Sequence, residues 1–311
     1  MSRHALIETL AAALAHQAAG ALAVGVSGGM DSTVLLHALA QLPGARARGL
    51  RAIHVDHGIH ADSARWARHC QSAAHGLGLE CCVIAVQVVC ADTGLEDAAR
   101  RVRYAALAEE LREGEILVLA HHRDDQAETI LLKLLRGAGP EGLGGMRAQR
   151  ALGRGKLWRP LLDLPRSALA GYAEEHGLAW IEDPSNADTR LRRNFLRRRV
   201  LPLVTERWPE ATAALAHSAR WARDAAEFID RESATALAAL RRAQATALDW
   251  RGWLTLAPAL RDPVLRRWLR ELGADEPGHQ HVAELERQLR DAGGDRAPCV
   301  RFATTELRRY R

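Results

Sequence analysis

The chain has no apolar run approaching the roughly 18–20 residues that a membrane-spanning helix needs. It has no secretion-type leader either: Ser2-Arg3-His4-Ala5-Leu6-Ile7-Glu8 reads as the start of an amphipathic helix. Cysteine is scarce. Cys70, Cys81, Cys82, Cys90 and Cys299 contain no C-x-x-C pair, which argues against a zinc site, an iron–sulfur site and a disulfide framework. These absences together predict a reducing cytoplasmic setting. Internal repeats and low-complexity tracts are absent too. Lysine is nearly missing: of 43 basic residues only Lys133 and Lys156 are lysines. With alanine so abundant, much of that bias is the signature of a GC-rich genome, so the distribution of arginine carries more information than its total. Between Asn186 and Arg223 nine arginines face only Asp188, Glu206 and Glu210, a balance that suits a phosphate backbone or a solvated helix face.

What is present is ample for folding. At 311 residues and 48% apolar content the chain has room for two domains or three. Apolar runs at 21–26, 50–55, 81–86 and 116–120 read as buried strands. Helical periodicity lies between them at about 31–42, 62–78 and 94–113, with Thr93-x-x-Glu96 as a capping box for the third. Strands alternating with helices imply an α/β fold, a parallel doubly wound, Rossmann-like sheet with helices on both faces. Such sheets bind ligands beyond the carboxyl ends of their strands, here just after Val26, Val55, Val86 and Ala120. A glycine-rich stretch, 136–146, is expected to be a loop able to close over a substrate. Helices are expected at 3–19, 165–177 and 188–205. We expect a catalytic domain over 1–210, a helical linker over 211–245 and a small α+β domain over 246–311, with helices near 258–272 and 278–290 and a strand at 299–302. The run Arg308-Arg309-Tyr310-Arg311 ends without a closing turn, as in a truncated chain.

The first strand is followed directly by Ser27-Gly28-Gly29-Met30-Asp31-Ser32 and then by a helix. Strand, glycine turn and helix in that order make an anion site, with backbone N–H groups and the helix N-terminus facing phosphate oxygens. Ser27 and Ser32 add hydroxyl donors, and Asp31 can hold a metal ion or orient a donor. No lysine follows the glycines, so this is not a Walker-type loop. It resembles the pyrophosphate loop of enzymes that split ATP into AMP and pyrophosphate. After the second strand come His54-Val55-Asp56-His57, with His54 and Asp56 on one face. After the fourth comes His121-His122-Arg123-Asp124-Asp125-Gln126-Ala127-Glu128-Thr129. Two histidines and three carboxylates there can form a metal site, capture an amine or organise a catalytic base. Asp125 and Glu128 share a helix face, and the bland role, offsetting a helix dipole, explains one carboxylate better than the cluster. On the third helix Glu96, Arg100 and Arg103 form a polar stripe followed by Tyr104. Glu182-Asp183-Pro184-Ser185-Asn186 is a turn leading into the arginine-rich helix.

In joint order these segments resemble the tRNA(Ile)-lysidine synthases, members of the PP-loop ATP pyrophosphatase superfamily. The resemblance runs from Val24 to about Leu203. Besides the segments above it includes Ala99-Arg100 with Arg103-Tyr104, Arg136-Gly137 with Gly142-Leu143-Gly144-Gly145-Met146, Arg159-Pro160-Leu161-Leu162 and Arg193-Asn194 with Arg197. The last 60 or so residues resemble the family's small substrate-binding domain less sharply, and larger members carry a further C-terminal domain. The resemblance implies a ligase. ATP adenylates the carbonyl at carbon-2 of the wobble cytidine in an isoleucine tRNA with anticodon CAU, and the ε-amine of free L-lysine then displaces AMP. It implies ATP contacts from Ser27 to Ser32 and from His54, and Mg2+ on Asp31. Asp125 and Glu128 would take the lysine ammonium and Arg103 its carboxylate. Asp124 or His57 would accept the proton. Arg192, Arg193, Asn194, Arg197 and Arg198 would contact tRNA, with Arg197 reaching the reacting cytidine. Oligomeric state is left open, a homodimer being one option.

Two other readings compete. A tRNA-thiolating pyrophosphatase would need a catalytic cysteine pair or a cysteine-bound cluster, whereas Cys81 and Cys82 fall in an expected buried strand. A non-catalytic nucleotide- or tRNA-binding module would not need three acids beside an ATP loop.

Overall fold

The computed structural model describes residues 5–88, 95–244, 246–291 and 298–309. The Thr93 capping box, the Glu96 side chain, Cys90 and the terminal Tyr310-Arg311 lie outside them. The chain divides into two compact units, 1–220 and 221–311.

The first unit is built on one sheet of six strands: β1 (Leu22–Gly25), β2 (Arg51–Asp56), β3 (Cys81–Ala85), β4 (Ile116–Val118), β5 (Gln149–Leu152) and β6 (Gly155–Trp158). Their order is β3-β2-β1-β4-β6-β5. All neighbours are parallel except the edge hairpin β5–β6. The sequence reading finds β1 to β4 and misses this hairpin. Gln149-Arg150-Ala151-Leu152 carries no β-branched residue and no clean alternation, and its residues are mostly exposed. The edge position of β3 also corrects the expectation of a buried strand there. Cys81 and Cys82 are half-buried, because β3 pairs on one side only.

Both faces of the sheet are covered, as a parallel sheet requires. Leu22 and Val24 point to one face and pack with Leu10, Leu35, Leu39, Ala74 and Leu169. These come from the helices Ala5–Ala15, Met30–Ala40, Ser63–Gly76 and Arg166–Glu175. Ala23, Ile53 and Leu117 point to the other face and pack with Leu107 of the helix Leu95–Glu110. Each fully buried leucine contributes about 2 kcal/mol. At the N-terminal end of β2, Arg51 is buried in a bidentate pair with Glu115, at 2.7 and 2.8 Å, and reaches Glu110 at 2.8 Å.

The strand order places β1 between β2 and β4, so successive strands run outward in opposite directions from β1. That is the topological switch point, where α/β sheets open a crevice. The expected helix over 188–205 is broken. A 3-10 turn (Pro184–Ala187), a short helix (Arg192–Phe195), a π-helical turn (Leu196–Val200) and the helix Leu201–Arg207 replace it. The glycine-rich stretch contains a short helix, Pro140–Leu143.

The second unit holds the helices Trp250–Thr255, Pro258–Glu271 and His279–Asp291 and the hairpin β7 (Cys299–Phe302) and β8 (Thr305–Arg308). Its core joins Trp253, Leu265, Leu269, Leu285 and Phe302. The boundary between units falls within the helix Ala211–Leu240. Among the described residues no helix is long and apolar enough to cross a membrane.

Candidate active site

At the switch point a cleft of about 1110 Å3 opens, walled by residues that follow β1, β2 and β4 and by the 180–198 segment. The loop after β1 forms its floor. Gly28 has φ +83°, and a side chain there would press on Ile181 and on Cys70 Sγ. Only glycine suits that conformation and that space. Ser32 Oγ accepts from the Ser27 amide (3.1 Å) and donates to the Gly29 carbonyl (3.0 Å), which folds the loop onto the helix start. Gly29 caps the helix Met30–Ala40 without a side-chain acceptor, so its first-turn N–H groups remain available for an anion. Asp31, in that first turn, has one carboxylate oxygen, Oδ1, with no hydrogen-bond partner. Its nearest basic groups are Arg166 (3.7 Å) and the His122 ring (3.6 Å).

β2 delivers His54 to the cleft wall, where Nδ1–H donates to the Val26 carbonyl (2.9 Å) and so ties the β2 end to the loop. Asp56 accepts from the Gly58 amide and closes the turn that carries His57. His57 lines the cleft, and its Nδ1 is buried without a partner. Burial, then Arg103 and His54, lower its pKa, so the ring is neutral at pH 7.

β4 leads into the helix Arg123–Leu134, opened by a reciprocal cap. His122 accepts from the Asp125 amide, and the Asp125 carboxylate accepts from the His122 amide. This cap fixes Asp125 at the cleft and Glu128 one turn behind it. Two arginines from the 192–200 segment complete a four-membered ion cluster. Arg193 donates Nε to Glu128 (2.6 Å) and Nη2 to Asp125 (3.0 Å). Arg197 does the same, at 2.6 and 3.0 Å, and adds a second bond to Glu128. Burial alone would raise the Asp125 pKa, but His122, Arg193, His121 and Arg197 hold it down at about 2. The carboxylate is ionised at neutral pH.

Behind this cluster lies a cationic group with no acid among the described residues. Arg103 sits over the Tyr104 ring, and its Nε is buried without a partner. Burial, then the neighbouring Arg100 and Arg193, lower its pKa, with Tyr104 opposing. A buried guanidinium with an open donor and arginine neighbours is a receptor for an anion. The buried Arg159 donates to His121, to the Tyr104 hydroxyl and to the Arg147 carbonyl.

The structure therefore gathers most of the residues singled out in the sequence around one cleft. Ser27, Gly29, Met30, Asp31, Ser32, His54, His57, Arg103, Asp125, Arg193, Arg197 and Arg198 line it, as does His121. Others are placed elsewhere. Asp124 does not line it; its Oδ2 accepts from the Arg166 amide (2.9 Å) and caps the helix Arg166–Glu175. Glu128 is 1% exposed and stands behind Asp125. Asn194 is buried, and its amide clamps the carbonyls of Ser185 (2.8 Å) and Asp188 (3.0 Å). Arg192 is exposed outside it, whereas Arg198, which lines the cleft, is itself exposed. Among the described residues no set of three or more His, Cys, Asp or Glu side chains is placed to hold a metal, which removes the all-protein metal site that the His121–Glu128 cluster suggested. The glycine-rich stretch is pinned at its end: Gln126 exchanges two hydrogen bonds with the Met146 backbone, at 2.9 and 2.7 Å. Sequence reasoning gave no role to Arg159 or to the His122 cap. Arg159 sits in a quoted motif, but only the fold shows what it touches.

Comparison with known proteins agrees with this geometry. Residues 3–204 match a family model described as a PP-loop domain, and 248–311 match one described as the TilS substrate binding domain. A tRNA(Ile)-lysidine synthase of Xanthomonas campestris pv. campestris is 48% identical over 289 residues, covering 93% of this chain and 66% of the relative. That of Alkalilimnicola ehrlichii is 46% identical over 309 residues, covering 98% and 68%. That of Pseudomonas aeruginosa is 45% identical over 303 residues, covering 94% and 67%. The chain thus spans about two thirds of the length of these relatives. Among solved structures, the U34-tRNA thiolase NcsA from Methanococcus maripaludis, with its [4Fe-4S] cluster, superposes with a TM-score of 0.56 at 16% identity. That match covers 70% of this chain and 78% of the thiolase, and it shows a shared fold alone. On the matched PP-loop domain and these relatives, the chain belongs to the tRNA(Ile)-lysidine synthase family.

Proposed function

We propose that this chain ligates free L-lysine to carbon-2 of the wobble cytidine of a CAU-anticodon isoleucine tRNA, consuming ATP and releasing AMP and pyrophosphate. The observation that carries this reading is a phosphate-type loop and a carboxylate–arginine cluster facing each other across one cleft at the switch point. In the first step the cytidine carbonyl oxygen attacks the α-phosphorus and pyrophosphate leaves. The loop amides and the Ser27 and Ser32 hydroxyls meet the charge that develops on it. The Oδ1 of Asp31 beside that loop, free of any hydrogen bond, fits Mg2+, which is characteristically held by one or two carboxylates plus substrate phosphates. When bound, the ion would neutralise phosphate charge.

In the second step the lysine ε-amine attacks carbon-2 and AMP departs. Asp125 receives the ammonium in exchange for one of its arginine contacts, and Arg103 holds the lysine carboxylate. His57, neutral and unpartnered, takes the proton. Of the two proton acceptors named from the sequence, it is the one facing the cleft. Arg197, held at the cleft by Asp125 and Glu128, would reach the reacting base. Arg192 and Arg198 are exposed for phosphate contact, and residues 246–311 offer a second tRNA surface.

Burial raises the Cys81 thiol to about 11 and Cys70 to about 12, so neither supplies a thiolate for base thiolation. Incubating the chain with ATP, L-lysine and CAU-anticodon tRNA, then analysing nucleosides by mass spectrometry, tests the reading. Lysidine formation that requires lysine is expected. Pyrophosphate release with no modified cytidine would overturn it.

A further inference from the structure

His121 lies at the cleft mouth of β4, lines the cleft, and was given no role by the sequence beyond membership of an acidic cluster. Its Nδ1 lies 3.2 Å from Nε of Arg159, in line to receive that N–H. A guanidinium is a permanent donor and never an acceptor. An imidazole nitrogen facing it must therefore present a lone pair, and the ring's single proton must sit on Nε2. Arg159 is itself locked by the Arg147 carbonyl (2.7 Å) and the Tyr104 hydroxyl (3.2 Å), so it cannot turn away without losing both. Nε2 has no hydrogen-bond partner among the described residues.

Resting on the lysine-ligation reading, we propose that Arg159 is a positioning residue that fixes His121 as a neutral Nε2–H donor into the cleft. His121 then serves the oxygen that gains charge during adenylation or AMP departure, and it does not accept the lysine proton. The electrostatics agree with the geometry. Burial, with Arg159, Arg103 and Arg193 around the ring, outweighs Asp125 and lowers the His121 pKa to about 3. A ring that stays neutral, with its lone pair directed at a guanidinium, has nothing with which to take a proton from an ammonium. Its Nε2–H is a preorganised donor of the kind whose removal costs about 100- to 1000-fold in kcat.

Three substitutions separate the possible roles. Glutamine places an amide N–H near the position of Nε2. Asparagine reaches only as far as Nδ1, so it keeps the acceptor for Arg159 and lacks the cleft donor. Alanine lacks both. In lysidine formation at saturating substrates, His121→Gln is expected within about tenfold of the parent kcat, while His121→Asn and His121→Ala fall about 100- to 1000-fold. Glutamine as inactive as alanine would make His121 a base and overturn the proposal. Asparagine outperforming glutamine would make it only a prop for Arg159 and overturn it equally. A readout independent of activity is the long-range 1H–15N spectrum of the histidine-labelled chain. The resonance lost in His121→Gln should report a proton on Nε2 alone between pH 5 and pH 8, and Arg159→Met should release that tautomer. A proton on Nδ1, or titration within that range, would refute the assignment even in a chain that makes no lysidine. A parent chain that makes no lysidine while showing the expected tautomer would sink the ligation reading and leave the tautomer standing.

Discussion

Asp125→Asn tests the amine site most directly, because it removes a charge and almost no volume. Asp125 faces the cleft, accepts from Arg193 and Arg197, and is ionised at neutral pH with a pKa of about 2. A charge-assisted contact to a lysine ammonium contributes about 2 kcal/mol, so its loss should raise the lysine KM about 30-fold. The ATP KM should change little, since the loop that holds the phosphates shares no hydrogen bond with Asp125. Glu128→Gln is the control. Glu128 is buried behind Asp125 and accepts three arginine N–H bonds, so its variant should lose more in thermal midpoint than in lysine affinity. The assay is initial-rate lysidine formation against lysine at saturating ATP and tRNA. An unchanged lysine KM in Asp125→Asn, or an equal rise for ATP, would refute the placement of the amine. The same residue sets a pH dependence. Its folded pKa, about 2, lies below the ordinary 3.8. Its stabilisation, about 2 kcal/mol, is therefore fully present above about pH 4 and is lost as pH falls through 2. The stability gap between parent and Asp125→Asn should close over that window; parallel acid-unfolding curves from pH 5 to pH 2 would contradict it.

Three further outcomes are expected. Asp31→Ala with Ser32→Ala should abolish lysine-independent adenylation while the far-ultraviolet circular dichroism spectrum stays that of the parent, and normal turnover in that double variant would remove the loop from the mechanism. Replacing Arg192 and Arg198 by glutamine should flatten the log–log salt dependence of tRNA binding by roughly 0.7 to 0.9 per residue, and an unchanged slope would make them a solvated face. Glu115→Gln weakens the bidentate contact of the buried Arg51 and leaves Glu110 as its one carboxylate partner, so it should destabilise the first unit by about 2 to 3 kcal/mol in denaturant titrations, whereas a loss under about 1 kcal/mol would show that the pair is not needed for folding.

Local pattern and tertiary placement divided the information unevenly. Periodicity by itself determined β1 to β4 and the longer helices between them, because inner strands covered on both faces are largely apolar and the edge strand β3 keeps an apolar run of its own. The loop from Ser27 to Ser32 was legible for a similar reason: a glycine turn between strand and helix makes its anion site from backbone groups of one contiguous segment. The order of the motifs also carried the family. The β5–β6 hairpin was not legible, since a short polar edge strand is held by its neighbour and not by its own pattern. Nor was the pairing of Arg193 and Arg197 with Asp125 and Glu128. From the sequence these were two sites, an arginine face for tRNA and a pair of acids for lysine. Only the fold brings residues some seventy positions apart to within 3 Å, and it neutralises one set with the other. Asp124 and Asn194 were named from the sequence for chemistry and for tRNA, and the fold sets them against backbone, at a helix start and across a loop, because whether a polar side chain meets substrate or backbone depends on what the rest of the chain places beside it.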